Sequence, residues 1–92
     1  MSDSINGEIA TTSTYIAATA TAIPTSIASG RRSMLIKNNG ANTIYLGKST
    51  VTTGTGYPLA AGAEFPFDIG EDLILYGIVV TGSEEIRSFE GA

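Results

Sequence analysis

Apolar positions recur along this chain at short, strand-like intervals. Residues 33–38 form a short apolar run of the buried-strand kind, and residues 43–47 place Ile44 and Leu46 on one face with Tyr45 on the other. Between them, Asn39-Gly40 is a turn signal because both residue types tolerate positive φ, so the two segments are predicted to pair as a hairpin. Residues 73–81 are the most apolar stretch and predict a core strand, with Gly77 marking a bulge or bend. Gly82-Ser83 then turns the chain, and residues 84–89 are predicted to return antiparallel, with Ile86 and Arg87 on opposite faces. Shorter extended pieces at 57–60 and 64–67 flank Ala61-Gly62, with Pro58 and Pro66 marking sheet edges. No window of a dozen residues carries helical apolar spacing. Ile9, Ile16 and Ile23 fall seven apart, but the Thr, Ser and Ala between them do not build a coiled-coil seam.

Several short strands punctuated by glycine predict an all-β fold, a small antiparallel β-sandwich or jelly-roll-like barrel. Asn39, Gly40, Gly47, Gly62 and Gly82 are its expected turn positions. The chain changes character near Gly30. Residues 9–29 contain no charge, and nine of those 21 are Thr or Ser; large apolar and charged residues appear together only afterwards. Residues 1–29 therefore read as an extended N-terminal arm with an edge strand at 14–22, and residues 30–92 as the body. An arm of this composition has too little apolar surface to order itself alone. Its contacts with a neighbouring subunit or partner are expected at Ile9, Thr12, Thr14, Tyr15, Ile16, Ile23 and Ile27. A compact monomer whose arm packed wholly on its own body would sink the functional reading.

Composition sharpens the picture. A chain of 92 residues makes one small domain, and without cysteine or histidine it has neither disulfides nor an obvious zinc staple. Oligomerisation is the remaining common source of extra stability. Only 15% of residues are charged, against about 25% in an average domain, so hydroxyls, backbone or partners must cover the surface. With five basic residues and a net charge of −4, binding to a phosphate backbone is not expected. The uncharged stretch is too rich in hydroxyls, and too interrupted by Pro24, to span a membrane.

Candidate chemistry is sparse. The chain has no histidine to act as base, and Lys48-Ser49 are strand-type neighbours that point apart. The acidic pairs Glu71-Asp72 and Glu84-Glu85 are adjacent rather than held across a cleft, and read as gatekeepers at strand ends. Asp68, Glu71 and Asp72 around Gly70 lack any established calcium-loop spacing. The glycines around Lys48 lack the spacing and following helix of a phosphate loop. Tyr15, Tyr45, Tyr57 and Tyr76 could stack on a sugar, and two of them lining one groove would favour that use. No enzyme activity, cofactor or metal is expected.

The segments Arg31-Arg32-Ser33-Met34-Leu35-Ile36-Lys37-Asn38, Thr43-Ile44-Tyr45-Leu46-Gly47, Val51-Thr52 and Gly56-Tyr57-Pro58-Leu59-Ala60-Ala61-Gly62 occur in this order. Leu75-Tyr76-Gly77-Ile78 and Ile86-Arg87-Ser88-Phe89-Glu90 follow them. Together they resemble small bacteriophage virion structural proteins, over roughly residues 31–90. The resemblance implies a β-sandwich or jelly-roll module on a phage particle, with turn or bulge positions at Asn38 and Gly47 and a pairing of Arg32 with a carboxylate such as Glu90. It implies a capsid decoration (cement) protein that binds copies of itself, in a small ring such as a trimer, and a major capsid protein. Its place would be the virion head surface, after synthesis in the bacterial cytoplasm. The alternative is a tail or fibre module that binds a receptor or carbohydrate.

Overall fold

Alternation of apolar and polar side chains at every second position sets the strands. The computed structural model describes residues 9–24, 32–70 and 72–91. The strands are β1 (Ile9–Ala17), β2 (Thr21–Ile23), β3 (Ser33–Asn38), β4 (Ile44–Gly47), β5 (Tyr57–Leu59), β6 (Glu64–Asp68), β7 (Leu75–Ile78) and β8 (Ser83–Gly91). There is no helix among the described residues. Two four-stranded sheets form, one in the order β1-β8-β3-β6 and the other β2-β7-β4-β5, and all pairing is antiparallel.

The core comes from both sheets. Ile16, Met34, Ile36 and Ile86 of the first meet Ile23, Ile44, Leu46 and Leu59 of the second, together with Val79. Five isoleucines in this set, Ile16, Ile23, Ile36, Ile44 and Ile86, have no exposed surface. Burial of each such side chain stabilises the fold by roughly 1.5–3 kcal/mol. Val51 is buried too, but outside this core, where its Cγ2 lies 2.8 Å from the position a Cβ on Gly47 would take and 2.9 Å from that on Gly56. The 48–56 loop thus has its own small apolar plug, and it requires glycine at both ends.

Only β4 and β5 are consecutive strands in one sheet; every other consecutive pair is divided between the two. This corrects two expected hairpins, because β3 and β4, and β7 and β8, lie in different sheets, as β5 and β6 also do. Asn39-Gly40, Ala61-Gly62 and Gly82-Ser83 do reverse the chain, but across the core rather than along one sheet. A tight turn is a local event and does not specify which sheet receives the next strand. Gly62 and Gly82 turn with positive φ, +80° and +70°, whereas Asn39 and Gly40 do not. Gly40 is needed for a different reason: a Cβ there would run into the Glu84 side chain.

Of the expected arm and edge strand, residues 9–24 are described. Residues 9–24 are two edge strands of the body: β1 pairs with β8 along its full length, and β2 pairs with β7. Ile16 and Ile23 lie at the centre of the core, so the segment does bury enough apolar surface to order itself. The rest of the expected arm, including Ile27, lies outside the described residues.

Gly77 occupies the middle of β7 without a bulge, in register with both Thr21 and Leu46. It is needed because a Cβ there would lie 2.9 Å from Ile23 Cδ1 and 3.1 Å from Ile44 Cγ2. Asn38, at the end of β3, is fully buried. Its Nδ2 donates to the carbonyls of Asn42 and Leu59 (both 2.8 Å), and its Oδ1 accepts from Gly40 N–H (2.9 Å).

Two stability predictions follow from these positions. Gly77→Ala overfills the contact between the sheets and lowers unfolding free energy by about 1–3 kcal/mol, seen as an earlier urea midpoint. Asn38→Ala strands the three backbone groups it serves and costs roughly 2–4 kcal/mol in the same titration.

Candidate interaction surfaces

The register of the first sheet arranges its outward side chains in rows. One row runs Thr11 (β1), Phe89 (β8), Leu35 (β3), Pro66 (β6), and is apolar apart from the threonine hydroxyl. Phe89 and Leu35 are 43% and 38% exposed, high for large apolar side chains in the middle of a sheet. The next row runs Ser13, Arg87, Lys37, Glu64 and is charged. A shallow groove between the rows is lined by both, from Thr11 and Ser13 on one side to Lys37 and Glu64 on the other. An apolar strip beside two cations and a carboxylate suits contact with a protein surface.

The outward face of the second sheet carries Ala22, Tyr45, Gly47, Pro58, Tyr76 and Ile78, with no charge among them. Tyr45 lines a shallow groove with Asn42, Thr43, Val79, Val80 and Thr81, and Tyr76 is not part of it. Tyr15 stands exposed on the opposite face. Tyr57 is exposed at the rim, where its ring meets Phe65 at 5.6 Å and Phe65 meets Phe67 at 5.3 Å. The tyrosines are therefore split between two faces and a rim.

The expected contact residues separate by parity along β1. Ile9 and Tyr15 point outward, 60% and 66% exposed, and Thr12 is half-buried. Thr14, Ile16 and Ile23 point inward and are buried by their own chain, so they are core rather than contact residues. Of the turn residues, Asn39 N–H donates to Glu85 O (2.9 Å), and its Nδ2 donates to Glu85 Oε1 (2.9 Å). Arg32 holds the base of the body through its backbone: its N–H donates to Gly91 O and its carbonyl accepts from Ile69 N–H.

Glu84 and Glu85, expected only as gatekeepers at a strand end, have a structural role that the strand pattern of the sequence does not show. Glu84 accepts from Ala41 N–H and Asn42 Nδ2, both at 2.8 Å, which closes the 39–43 turn against β8. Glu85 accepts from Arg87 Nε (2.7 Å), from Asn39 and from the Ser13 hydroxyl, which ties β1, β8 and the turn together. The sequence signal was the cluster of amide side chains at residues 38–42, which need acceptors. Among the described residues no three acidic side chains gather in a way that could hold a metal ion. Asp68 and Asp72 are exposed, and Glu71 lies outside the described residues.

No family model matches the chain, and no curated protein or solved structure matches it.

The Glu85 network makes a pH prediction. Its carboxyl is held down from the ordinary 4.5 to about 2, chiefly by Arg87, then by Ser13 and Asn39. Glu84 is lowered too, mainly by Asn42 and Ala41. A carboxyl whose folded pKa is depressed stabilises the fold fully above its unfolded pKa. That contribution is lost as pH falls from about 4.5 towards 2. Melting temperatures at neutral pH and near pH 3 should therefore differ more for the natural chain than for Glu85→Gln.

Proposed function

We propose that this chain is a non-enzymatic structural protein of a bacteriophage particle, a capsid decoration subunit that binds the major capsid protein and copies of itself on the head surface. The observation that carries the proposal is the strand order. Sheets ordered 1-8-3-6 and 2-7-4-5, with nearly every connection crossing between them, support reading the fold as an eight-stranded jelly roll, a topology used by viral capsid and lectin domains. The resemblance of residues 31–90 to small phage virion proteins points the same way. A fold alone does not assign a function, so the surface must be consistent with it. The exposed row of Phe89, Leu35 and Pro66 supplies an apolar strip for a coat partner, with Lys37 and Arg87 beside it for orientation.

The means of attachment differs from strand donation by a long arm. Residues 9–24 are committed to the chain's own sheets, which weighs against that route and shifts the proposed contacts to the outer face. The tail or fibre reading, with a receptor or sugar as ligand, would need an aromatic platform. The scattered tyrosines and the half-covered Tyr45 do not favour one.

Immunogold labelling of particles of the phage that encodes the chain tests the assignment. Label spread over the head is expected; label confined to the tail would support the fibre reading, and unlabelled particles would refute both. Leu35→Glu should leave the fold intact and lower occupancy on heads by about tenfold, because it puts a charge in the apolar row.

A further inference from the structure

Of the four sheet edges, three are blunted. β6 carries Pro66 at its centre between exposed Glu64 and Asp68, β5 has three residues including Pro58, and β2 has three residues and stops before Pro24. Proline, charge and short length are the devices by which sheets avoid edge-to-edge association. β1 has none of them. It is nine residues long, with no proline, glycine or charged residue.

Which of its backbone groups are open follows from the register. Asn39 N–H bonds Glu85 O, continuing the β3–β8 ladder, so odd-numbered residues of β8 face β3 and even-numbered ones face β1. On β1 the even-numbered residues bond β8, and Ile9, Thr11, Ser13 and Tyr15 turn their N–H and C=O groups away from it. Ala17 has the same parity but is already engaged, with its carbonyl on Val79 N–H and its N–H on Thr21 Oγ1.

We propose that β1 is the surface through which two copies of this chain pair, antiparallel, about a two-fold axis between their Thr12 residues. This register sets Ile9 opposite the partner's Tyr15 and Thr11 opposite the partner's Ser13. It engages every open main-chain group on both strands. It also brings together the two large exposed side chains of the edge on each side of the axis. A register centred on Ser13 would instead set Ile9 against Ala17, whose main-chain groups are taken. A second copy fits better than a foreign strand because the edge is self-complementary: hydroxyls at its centre, apolar groups towards both ends, and no charge to repel its own image. The pairing would join the two first sheets into one that runs through both subunits, and it does not depend on the decoration proposal.

Sedimentation equilibrium of the full chain over a concentration series tests this, with Thr11→Pro as the control. Thr11 turns its N–H to the open side, so proline there blocks the edge as Pro66 blocks β6 without removing a bond to β8. A reversible dimer is expected for the natural chain, and a monomer with nearly unchanged melting for the variant. Thr11→Lys, which leaves the backbone untouched, should give the same result if proline perturbs folding. The register is read by disulfide formation in this cysteine-free chain: Thr12→Cys should cross-link at least about tenfold faster than Ser13→Cys. A dimer indifferent to both Thr11 variants, or equal cross-linking, would overturn the pairing. A monomer at every concentration would do so too.

Discussion

Asn38 stands where β3 ends and the chain must leave one sheet for the other. Its backbone N–H donates to Ala63 O and its carbonyl accepts from Gly62 N–H, while its side chain serves Gly40, Asn42 and Leu59. One buried residue thus fixes the end of β3, the turn into β4, the end of β5 and the turn into β6. A buried amide is costly when its groups are unpaired and specific when they are all paired. Here every donor and acceptor is used. Removing it would loosen two crossings between the sheets at once, which a lost apolar contact of the same size would not do.

The crossings explain the rest of the architecture. Seven connections join the eight strands, and only the β4–β5 link stays within a sheet, so each turn must let two sheets approach closely. That demand falls on side-chain size. Gly77 lets Ile23, Ile44 and Ile16 close over β7, and Gly40 leaves room for the Glu84 carboxylate that closes the neighbouring turn. Both are glycines of close approach, with ordinary backbone angles, whereas Gly62 and Gly82 are glycines of conformation.

The sequence revealed strand positions better than strand partners. The alternation around Ile44-Tyr45-Leu46 and Ile86-Arg87 located β4 and β8, and Pro58 and Pro66 marked edges that are edges. Pairing was not legible, because Asn39-Gly40 signals a reversal equally for a hairpin and for a crossing. Residues 9–24 were misjudged for a related reason. Average apolar density was low, but the two isoleucines that matter, Ile16 and Ile23, both point inward. On the surface, strand parity turns Ile9 and Tyr15 outward, and both are exposed. The Phe89–Leu35–Pro66 row was not, because it exists only once three strands are in register.

The outer-face row and the β1 edge are not independent surfaces, since Thr11 belongs to both. In the proposed two-fold register Thr11 faces the partner's Ser13, so the apolar row of one copy runs on into the charged row of the other. The composite face then carries two apolar strips offset across the axis, each continued end to end by the run of Arg87, Lys37 and Glu64 from the other copy. A coat partner would meet an oriented pattern rather than a uniform greasy patch, and two weak sites would be held at a fixed spacing. Linking sites in this way raises apparent affinity through effective concentration without any new contact. A chain with few charges and a nine-residue core cluster would gain stability from the same pairing, because binding to the folded state alone draws the folding equilibrium with it.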